Sequence, residues 1–567
     1  MQHLKKRPPR RKDDRIILHF DYDCFYASVL ENRNPALKSL PLGVKQKSIL
    51  ATCNYVARAR GVKKLMLISD AKKVCPDIVI IEGEDLTPFR DVSKTIWSFL
   101  RSHSWNDKVE RLGLDEVFMD VTDIIGYNIF CINKASLAES FFQLSKKDPE
   151  RGFGCDLRQL AGCVQGDTPD TSLLDNHNYV KLLLASHLAQ YLRLKIEEDF
   201  GFTSACGISS NKTLSKLVGS KNKPRNQTTL LALEESDVMA FIDAYTIRKI
   251  PGIGSKATRS LEQKLLSSHT EIRSYDTESS LTVQAVRTHS DIYPESLENL
   301  LSGPGSEQGI GVRIWNLLHG VDHAEVKPAA DVPSQISIED TYRGLKGLPD
   351  IEAELKKLSA SLIRRMRVDL VTEEKPAGED PPSQRWMAHP KTLRLSIRAW
   401  PEDDQLSEWD FSRTSRSQPL PNFVFNMKET IEDLGDRLGS DVLFPMLKKF
   451  HPERDHKWNL QLINICVANM VPSGSEVGSG VGRDISVMFK KQDDVLRQWR
   501  ADTAIIEGPA EEQLAGEADV ETDVDMVGLD MDVSWEAGQD TDRCSLCGHY
   551  IPSFAVSAHA RYHEMGD

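Results

Sequence analysis

Two apolar runs in this chain are interrupted by carboxylates, and each reads as a β-strand. The first is His19-Phe20-Asp21-Tyr22-Asp23-Cys24-Phe25-Tyr26-Ala27-Ser28, and the second is Glu110-Arg111-Leu112-Gly113-Leu114-Asp115-Glu116-Val117-Phe118-Met119-Asp120. An unpaired carboxylate inside an apolar strand is costly, so a chain that keeps acids in both places has a use for them. Hard divalent cations take carboxylate oxygens, and two such ions side by side stabilise the attacking and leaving oxygens of phosphoryl transfer. The constraint on the fold is that a strand over 16–22 and a hairpin over 109–121 must bring Asp21, Asp115 and Glu116 together. Neighbouring strand residues face opposite ways. Asp115 and Glu116 can therefore serve one centre only where the backbone turns, which Gly113 permits.

The 567 residues suffice for roughly three or four domains. With 40% hydrophobic and 27% charged residues the composition is that of a globular protein. No apolar run approaches the roughly 20 residues of a membrane helix, so no membrane partner is expected. The basic start carries no apolar segment and does not read as a secretory leader. Most of the ten cysteines stand singly among apolar residues, as reduced thiols do. The net charge of −13 is local: residues 501–540 hold thirteen Asp and Glu and no Lys or Arg. The remainder is near neutral and opens with Lys5, Lys6, Arg7, Arg10, Arg11 and Lys12. That arm reads as a solvated tail, a nuclear import signal or a loose phosphate contact. The acidic pI does not exclude a nucleic-acid partner.

Strand-then-helix is expected over 42–58, a helix over 88–102, and an inserted surface loop over the Gly-, Asp-, Pro- and Asn-rich 145–178. A helix over 179–198, a small-residue strand over 203–209 and a helix over 211–220 follow. Residues 233–325 read as helices with short loops. Between 333 and 472 strands (Leu393–Ala399, Leu462–Ala468) mix with helices (351–367, 427–438), around a polar insertion at Glu373–Gln384. Beyond Val471 a Gly/Ser linker leads into the acidic low-complexity stretch.

These segments resemble, in chain order, the motifs of Y-family, lesion-bypass DNA polymerases. Asp21 and Asp115-Glu116 match the palm acids. Ala51-Thr52-Cys53-Asn54-Tyr55-Val56-Ala57-Arg58 is similar to the fingers motif that holds the incoming triphosphate. Gly207-Ile208-Ser209-Ser210-Asn211-Lys212 with Lys221-Asn222-Lys223-Pro224 matches the late palm, and Ile250-Pro251-Gly252-Ile253-Gly254 the helix–hairpin–helix turn of the thumb. Trp315 and Pro333-Ser334-Gln335 resemble the approach to the little finger. The resemblance spans roughly 15–470. The runs Leu42–Lys47, Gly61–Met66 and Gly83–Leu86 resemble the iota type of this family more than the eta type.

The resemblance implies an α+β right-hand polymerase with a ferredoxin-like palm (16–25 and 86–232), small fingers (26–85), a helical thumb (233–325) and an α/β little finger (333–472). A basic disordered arm (1–15) would precede these; a linker with an acidic disordered tail (473–540) and a zinc finger (541–567) would follow. It implies low-fidelity, template-directed DNA synthesis across damaged bases, with primer–template DNA and dNTPs as substrates and the nucleus as compartment. Two Mg²⁺ or Mn²⁺ ions would be held by Asp21, Asp115, Glu116 and the Tyr22 carbonyl. Tyr55, Arg58 and Lys223, with Thr52 helping, would hold the phosphates. Tyr26 would lie beneath the sugar and exclude a 2′-hydroxyl. Gln46 and Ile49 would face the template and nascent pair, and Gly252 and Gly254 would offer backbone N–H groups to a DNA phosphate. An eta-type enzyme, a deoxycytidyl transferase and a noncatalytic ubiquitin-binding repair adaptor are the rival readings.

Cys544-x2-Cys547-x11-His559-x3-His563 has the donor types and spacing of one closed tetrahedral Zn²⁺ site. It resembles the ubiquitin-binding fingers of lesion-bypass polymerases, which implies ubiquitin or a ubiquitinated sliding clamp as partner. A nucleic-acid finger is the alternative, and the acidic run before it speaks against phosphate contact. Ile485, Met488 and Phe489 are spaced like a degenerate clamp-binding box or a short amphipathic remnant.

Overall fold

A computed structural model describes residues 7–11, 14–133, 135–167, 174–265, 281–303, 306–374, 383–400, 413–451 and 457–473, and the short strands 541–543 and 550–552. The chain divides into two compact units that meet in sequence between Ala329 and Ala330. Both are mixed α/β.

The strands of the first unit are β1 (Ile17–Tyr22), β2 (Leu42–Gln46), β3 (Ile49–Cys53), β4 (Val79–Glu82), β5 (Val109–Leu112), β6 (Glu116–Asp120), β7 (Ser140–Gln143), β8 (Gly152–Cys155), β9 (Cys163–Gln165), β10 (Ser204–Ser209) and β11 (Gln227–Leu230). Six of them form one sheet in the order β5-β6-β1-β10-β11-β9. β1 is antiparallel to both of its neighbours, and β10, β11 and β9 run parallel. Helices Thr87–Ser102 and His177–Phe200 bury Ile96, Leu100, Leu188, Leu192 and Ile196 together with Leu18, Phe20 and Tyr22 of β1. The second of these helices starts at Asn176, whose side chain accepts the N–H groups of Asn178 and Tyr179. It stops at Gly201, whose φ of 77° suits a residue without Cβ.

Helix Lys212–Gly219 lies against β1 and β10 from the other side. The approach is so close that a Cβ on Gly207 would sit 1.9 Å from the Ser215 carbonyl oxygen, and one on Gly219 would sit 2.9 Å from the Gly207 nitrogen. Strands β3-β2-β4 form a separate small sheet. It has its own core of Leu50, Cys53, Ala57, Val62, Ala71, Cys75 and Ile78.

The stretch 145–178 is not the surface loop its composition suggests. β8 pairs with β7, and β9 closes the edge of the main sheet beside β11. Three residues between Gly162 and Gly166, both at positive φ, are too few to display an apolar period.

Helices Glu235–Asp243, Ser255–Leu265, Val283–Thr288, Pro294–Leu301 and Ile310–Leu318 gather around Val238, Ile242, Leu261, Leu297, Ile314 and Leu318. From there the chain is extended, not helical, and returns to the main sheet. Val326 is buried with Ile17 and Phe118, and Lys108 pairs with Glu325 at 2.8 Å. The Arg15 guanidinium donates to the carbonyls of Asp322 (2.6 Å) and Ala324 (3.0 Å). Part of the stretch expected as a loose basic arm is also held: Trp315 donates to the Arg7 carbonyl at 3.2 Å and Arg11 to that of Glu234 at 3.0 Å.

The second unit is a four-stranded antiparallel sheet in the order β12-β17-β15-β16, made of β12 (Gln335–Leu345), β15 (Ala388–Ala399), β16 (Thr414–Pro419) and β17 (Leu460–Pro472). Helix Leu348–Leu370 covers one face with Ile351, Leu355, Leu358, Leu362 and Met366, a 3.6-residue stripe. β13 (Val371–Glu374) and β14 (Ser383–Trp386) pair on either side of the polar insertion. Two short strands of the first unit, β18 (Thr541–Arg543) and β19 (Tyr550–Pro552), pair antiparallel. Among the described residues no helix is long and apolar enough to cross a membrane.

Candidate active site

Alternation along β1 turns Leu18, Phe20 and Tyr22 toward the long helices and leaves Ile17, His19 and Asp21 on the opposite face. Across the β1–β6 ladder Asp21 stands opposite Glu116, and His19 opposite Phe118. Asp115 lies one residue before β6, in the turn that contains Gly113 at φ 80°. Its carbonyl accepts the Tyr22 N–H at 2.8 Å, which ties that turn to the end of β1. The turn removes the facing problem: Asp115 is not bound by the strand alternation that governs Glu116.

Helix Lys212–Gly219 and the loop after it bring the positive charge. Lys216 Nζ is 2.6 Å from Glu116 Oε2, and Lys223 Nζ is 2.5 Å from Asp21 Oδ2. One turn before Lys216, Lys212 pairs with Glu110 at 2.7 Å. Burial first, and then the charge of Asp21, hold the Asp115 carboxyl above the usual carboxylate range. Burial likewise raises Glu116, against the Lys216 hydrogen bond that lowers it. His19 is 2% exposed, with its ring 3.9 Å from Glu116. Burial, reinforced by the charges of Lys216 and Lys223, keeps its imidazole well below the ordinary value and hence neutral.

Among the described residues no three His, Cys, Asp or Glu form a ready-made metal cluster. The two ammonium groups supply the countercharge in that place. The chemistry of the donors still fits hard divalent cations: carboxylate oxygens on three neighbouring positions, two of them carrying a burial penalty that a cation would relieve.

Of the residues expected to bind nucleotide, Tyr26, Tyr55 and Lys223 lie near these acids: Tyr26 feels the charge of Asp115, Tyr55 that of Asp21, and Lys223 pairs with Asp21. Tyr26, in the first turn of helix Phe25–Arg33, stacks on Phe89 with ring centroids 4.3 Å apart, and its hydroxyl feels the charge of Asp115. Tyr55 opens the helix Tyr55–Ala59, which Asn54 caps. The Arg58 guanidinium lies 4.9 Å from the Tyr55 ring centroid, and its Nε donates to the Cys53 carbonyl at 3.2 Å. Thr52 sits on β3 opposite Val44. Gln46 and Ile49 face each other at the β2–β3 turn, and the Gln46 amide donates to the Gly83 carbonyl at 3.0 Å. Farther along the chain, Gly252 (φ 89°) forms the turn before helix Ser255–Leu265. A Cβ on Gly254 would meet nothing within 4 Å, so that backbone faces open space. Cys544, Cys547, His559 and His563, and the segment 482–489, lie outside the described residues.

Lys216 lies beside the acids without being singled out by sequence reasoning, and Lys212 and Glu110, which stand inside the quoted motifs, carry no assigned role there. The available signal is the four-residue spacing of the two lysines, which puts both on one side of a helix. Asp23 reads from sequence as a structural hydrogen-bonder outside the ligand set, and its partners come from three separate parts of the chain.

Two models of one family match: the impB/mucB/samB family over residues 20–220 and its C-terminal domain over 333–479, between them more than half of the chain. The chain is similar to DNA polymerase iota of Homo sapiens, 32% identical over 476 residues, which is 82% of this chain and 54% of that protein. It is also similar to DNA polymerase iota of Drosophila melanogaster, 32% identical over 355 residues (63% of this chain, 42% of that protein). DNA polymerase IV of Mannheimia succiniciproducens is 28% identical over 360 residues, 62% of this chain and 77% of that protein. The chain thus spans about half the length of the iota-type relatives it matches.

Proposed function

Because the chain belongs to the impB/mucB/samB family, the Y-family polymerases, we propose that it extends primers with dNTPs across damaged template bases, at low fidelity. What carries the reading is one juxtaposition: Asp21 and Glu116 opposite each other on adjacent strands, with Asp115 in the turn beside them. The main sheet corresponds on this reading to the palm, β2–β4 with their helices to the fingers, the helices between 235 and 318 to the thumb, and the second unit to the little finger.

Asp21, Asp115, Glu116 and the Tyr22 carbonyl would hold two Mg²⁺ or Mn²⁺ ions, which lower the pKa of the primer hydroxyl and screen the pyrophosphate leaving group. Until then Lys216 and Lys223 neutralise the acids. Lys223, released from Asp21, joins Tyr55 and Arg58 on the triphosphate, with Thr52 in support; the Arg fork and the Lys point charge both suit phosphate oxygens. Tyr26, braced by Phe89, sits where a ribose 2′-hydroxyl would collide. Gln46 and Ile49 abut the template base and nascent pair, and Gly252 and Gly254 offer N–H groups to the DNA backbone. On Cys544, Cys547, His559 and His563 the C-terminal segment would hold a Zn²⁺ ion; two thiolates and two imidazoles suit that ion. The segment's partner would be ubiquitin or a ubiquitinated clamp. The nucleus is the compartment.

Single-nucleotide insertion opposite each of the four template bases, in Mg²⁺ and in Mn²⁺, tests the reading, with Asp115→Ala and Glu116→Ala as controls. Extension by the wild type that both controls abolish is expected. Frequent G opposite template T marks iota-type choice, and accurate insertion opposite linked thymines marks eta-type choice. A folded wild type that extends nothing yet binds ubiquitin makes the protein an adaptor.

A further inference from the structure

Tyr55 and Lys223 are assigned to one triphosphate but come from unconnected parts of the fold. Tyr55 belongs to the small β3-β2-β4 sheet and its helix, and Lys223 to the loop between helix Lys212–Gly219 and β11. Their separation has to be fixed by something that holds Tyr55 and the loop carrying Lys223 at once. Asp23 bonds to the one directly and to the other through Arg225. It lies just past the end of β1 and is 4% exposed. One carboxylate oxygen accepts the Tyr55 hydroxyl at 3.4 Å, and the other accepts the Arg225 N–H at 2.8 Å. The Asp23 N–H in turn donates to the Thr203 carbonyl at 3.0 Å.

Burying a carboxylate is tolerated where its oxygens are bonded. Here the bonds are spent on joining elements, not on solvating a single one. The Arg225 end is held twice. Its backbone has φ 50°, a left-handed conformation that disfavours a residue with a side chain. Its guanidinium is clamped on Glu197 at 2.6 Å and 3.0 Å. A residue held in that conformation two positions after Lys223 fixes where the loop points its lysine.

We propose that Asp23 is a positioning residue for nucleotide binding: it ties the Tyr55 hydroxyl to the Lys223–Arg225 loop and so sets the width of the triphosphate grip. This rests on the polymerase reading above. It separates Asp23 from Asp21, two residues earlier, by role. Asp21 faces the reacting phosphates, whereas Asp23 acts through two other side chains.

The test is steady-state insertion of one correct dNTP by the full chain, comparing wild type, Asp23→Ala and Asp23→Asn, with thermal melting alongside. Asp23→Ala is expected to raise the KM for dNTP about 10- to 100-fold and to leave kcat at saturation within about threefold, the signature of lost binding. Asp23→Asn keeps an oxygen for the Arg225 N–H and a polar group for Tyr55, and is expected to recover most of the affinity. A folded Asp23→Ala protein whose KM stays within about threefold of wild type overturns the proposal. So does a loss of kcat that tracks a fall in melting temperature with KM unchanged. Should Asp23→Ala not fold, the cycle of Asp23→Asn with Tyr55→Phe decides: coupled effects on KM support the tie and additive ones overturn it. A wild type that inserts nothing would instead bring down the polymerase assignment beneath it.

Discussion

The two large sheets use charge in opposite ways. In the first unit β10 is buried along its whole length and β1 is buried but for Asp21. Polar exposure there is confined to one end, where the acids and their lysines sit. In the second unit, buried Leu393, Leu395 and Ile397 alternate with half-buried Arg394 and Arg398 and the buried Ser396 on β15, and β16 is exposed along nearly all its length. Arg413 pairs with Glu339 across the outward side at 2.7 Å. One sheet concentrates charge at a point, as a reacting centre requires. The other spreads it over a face, which on the proposed reading would contact the DNA backbone.

The sharpest way to break this contrast is Asp115→Ala. Incorporation is expected to fall about a thousandfold in single-turnover extension, while affinity for primer–template, read by fluorescence anisotropy, stays within about twofold. A comparable loss of DNA affinity would mean that the point site is also a binding face. Next in size is the pair Arg394→Ala and Arg398→Ala. DNA affinity should drop about tenfold, and the slope of log affinity against log salt should flatten by up to about two, one for each phosphate no longer neutralised; the rate from bound complex should hold.

Lys216→Ala, the third, removes the cation that stands on Glu116. The metal concentration for half-maximal Mn²⁺ binding, followed by titration calorimetry without DNA, should fall several-fold. No change would show that Lys216 does not compete with the ion. The smallest effect is on stability. Asp115 has a raised carboxyl pKa in the folded state, so its ionised form is penalised there. That penalty is absent below the ordinary Asp range and grows as pH rises through the raised value. Asp115→Asn should therefore melt about 2–4 °C higher than wild type at neutral pH, the shift that about 1 kcal/mol produces, with the gain vanishing in acid. An unchanged melting temperature would show that the acid carries no stored penalty.

The contrast also explains what is legible in the sequence. Carboxylates inside apolar runs announce themselves, so β1, the β5–β6 hairpin and the three acids can be read directly. Helix Leu348–Leu370 is visible from its stripe. β12 and β16 are not: Thr-Ser-Arg-Ser-Gln-Pro contains no apolar residue, and its strand character comes from pairing with β15. Residues 319–325 of the extended return read as helix because the docking of this stretch depends on Glu325 and Val326 meeting Lys108, Ile17 and Phe118, partners far apart in sequence. Lys216 escapes notice for the same reason, since its partner is a hundred positions away.

The close seat of helix Lys212–Gly219 on Gly207 leaves no slack beneath the lysines. A single added methyl at either Gly207 or Gly219 would lift the whole rod from its seat and carry two ammonium groups with it. Damage would then register at the reacting centre although nothing there had been altered. Variants at these quiet, hydrogen-only positions should imitate lesions of the acids themselves.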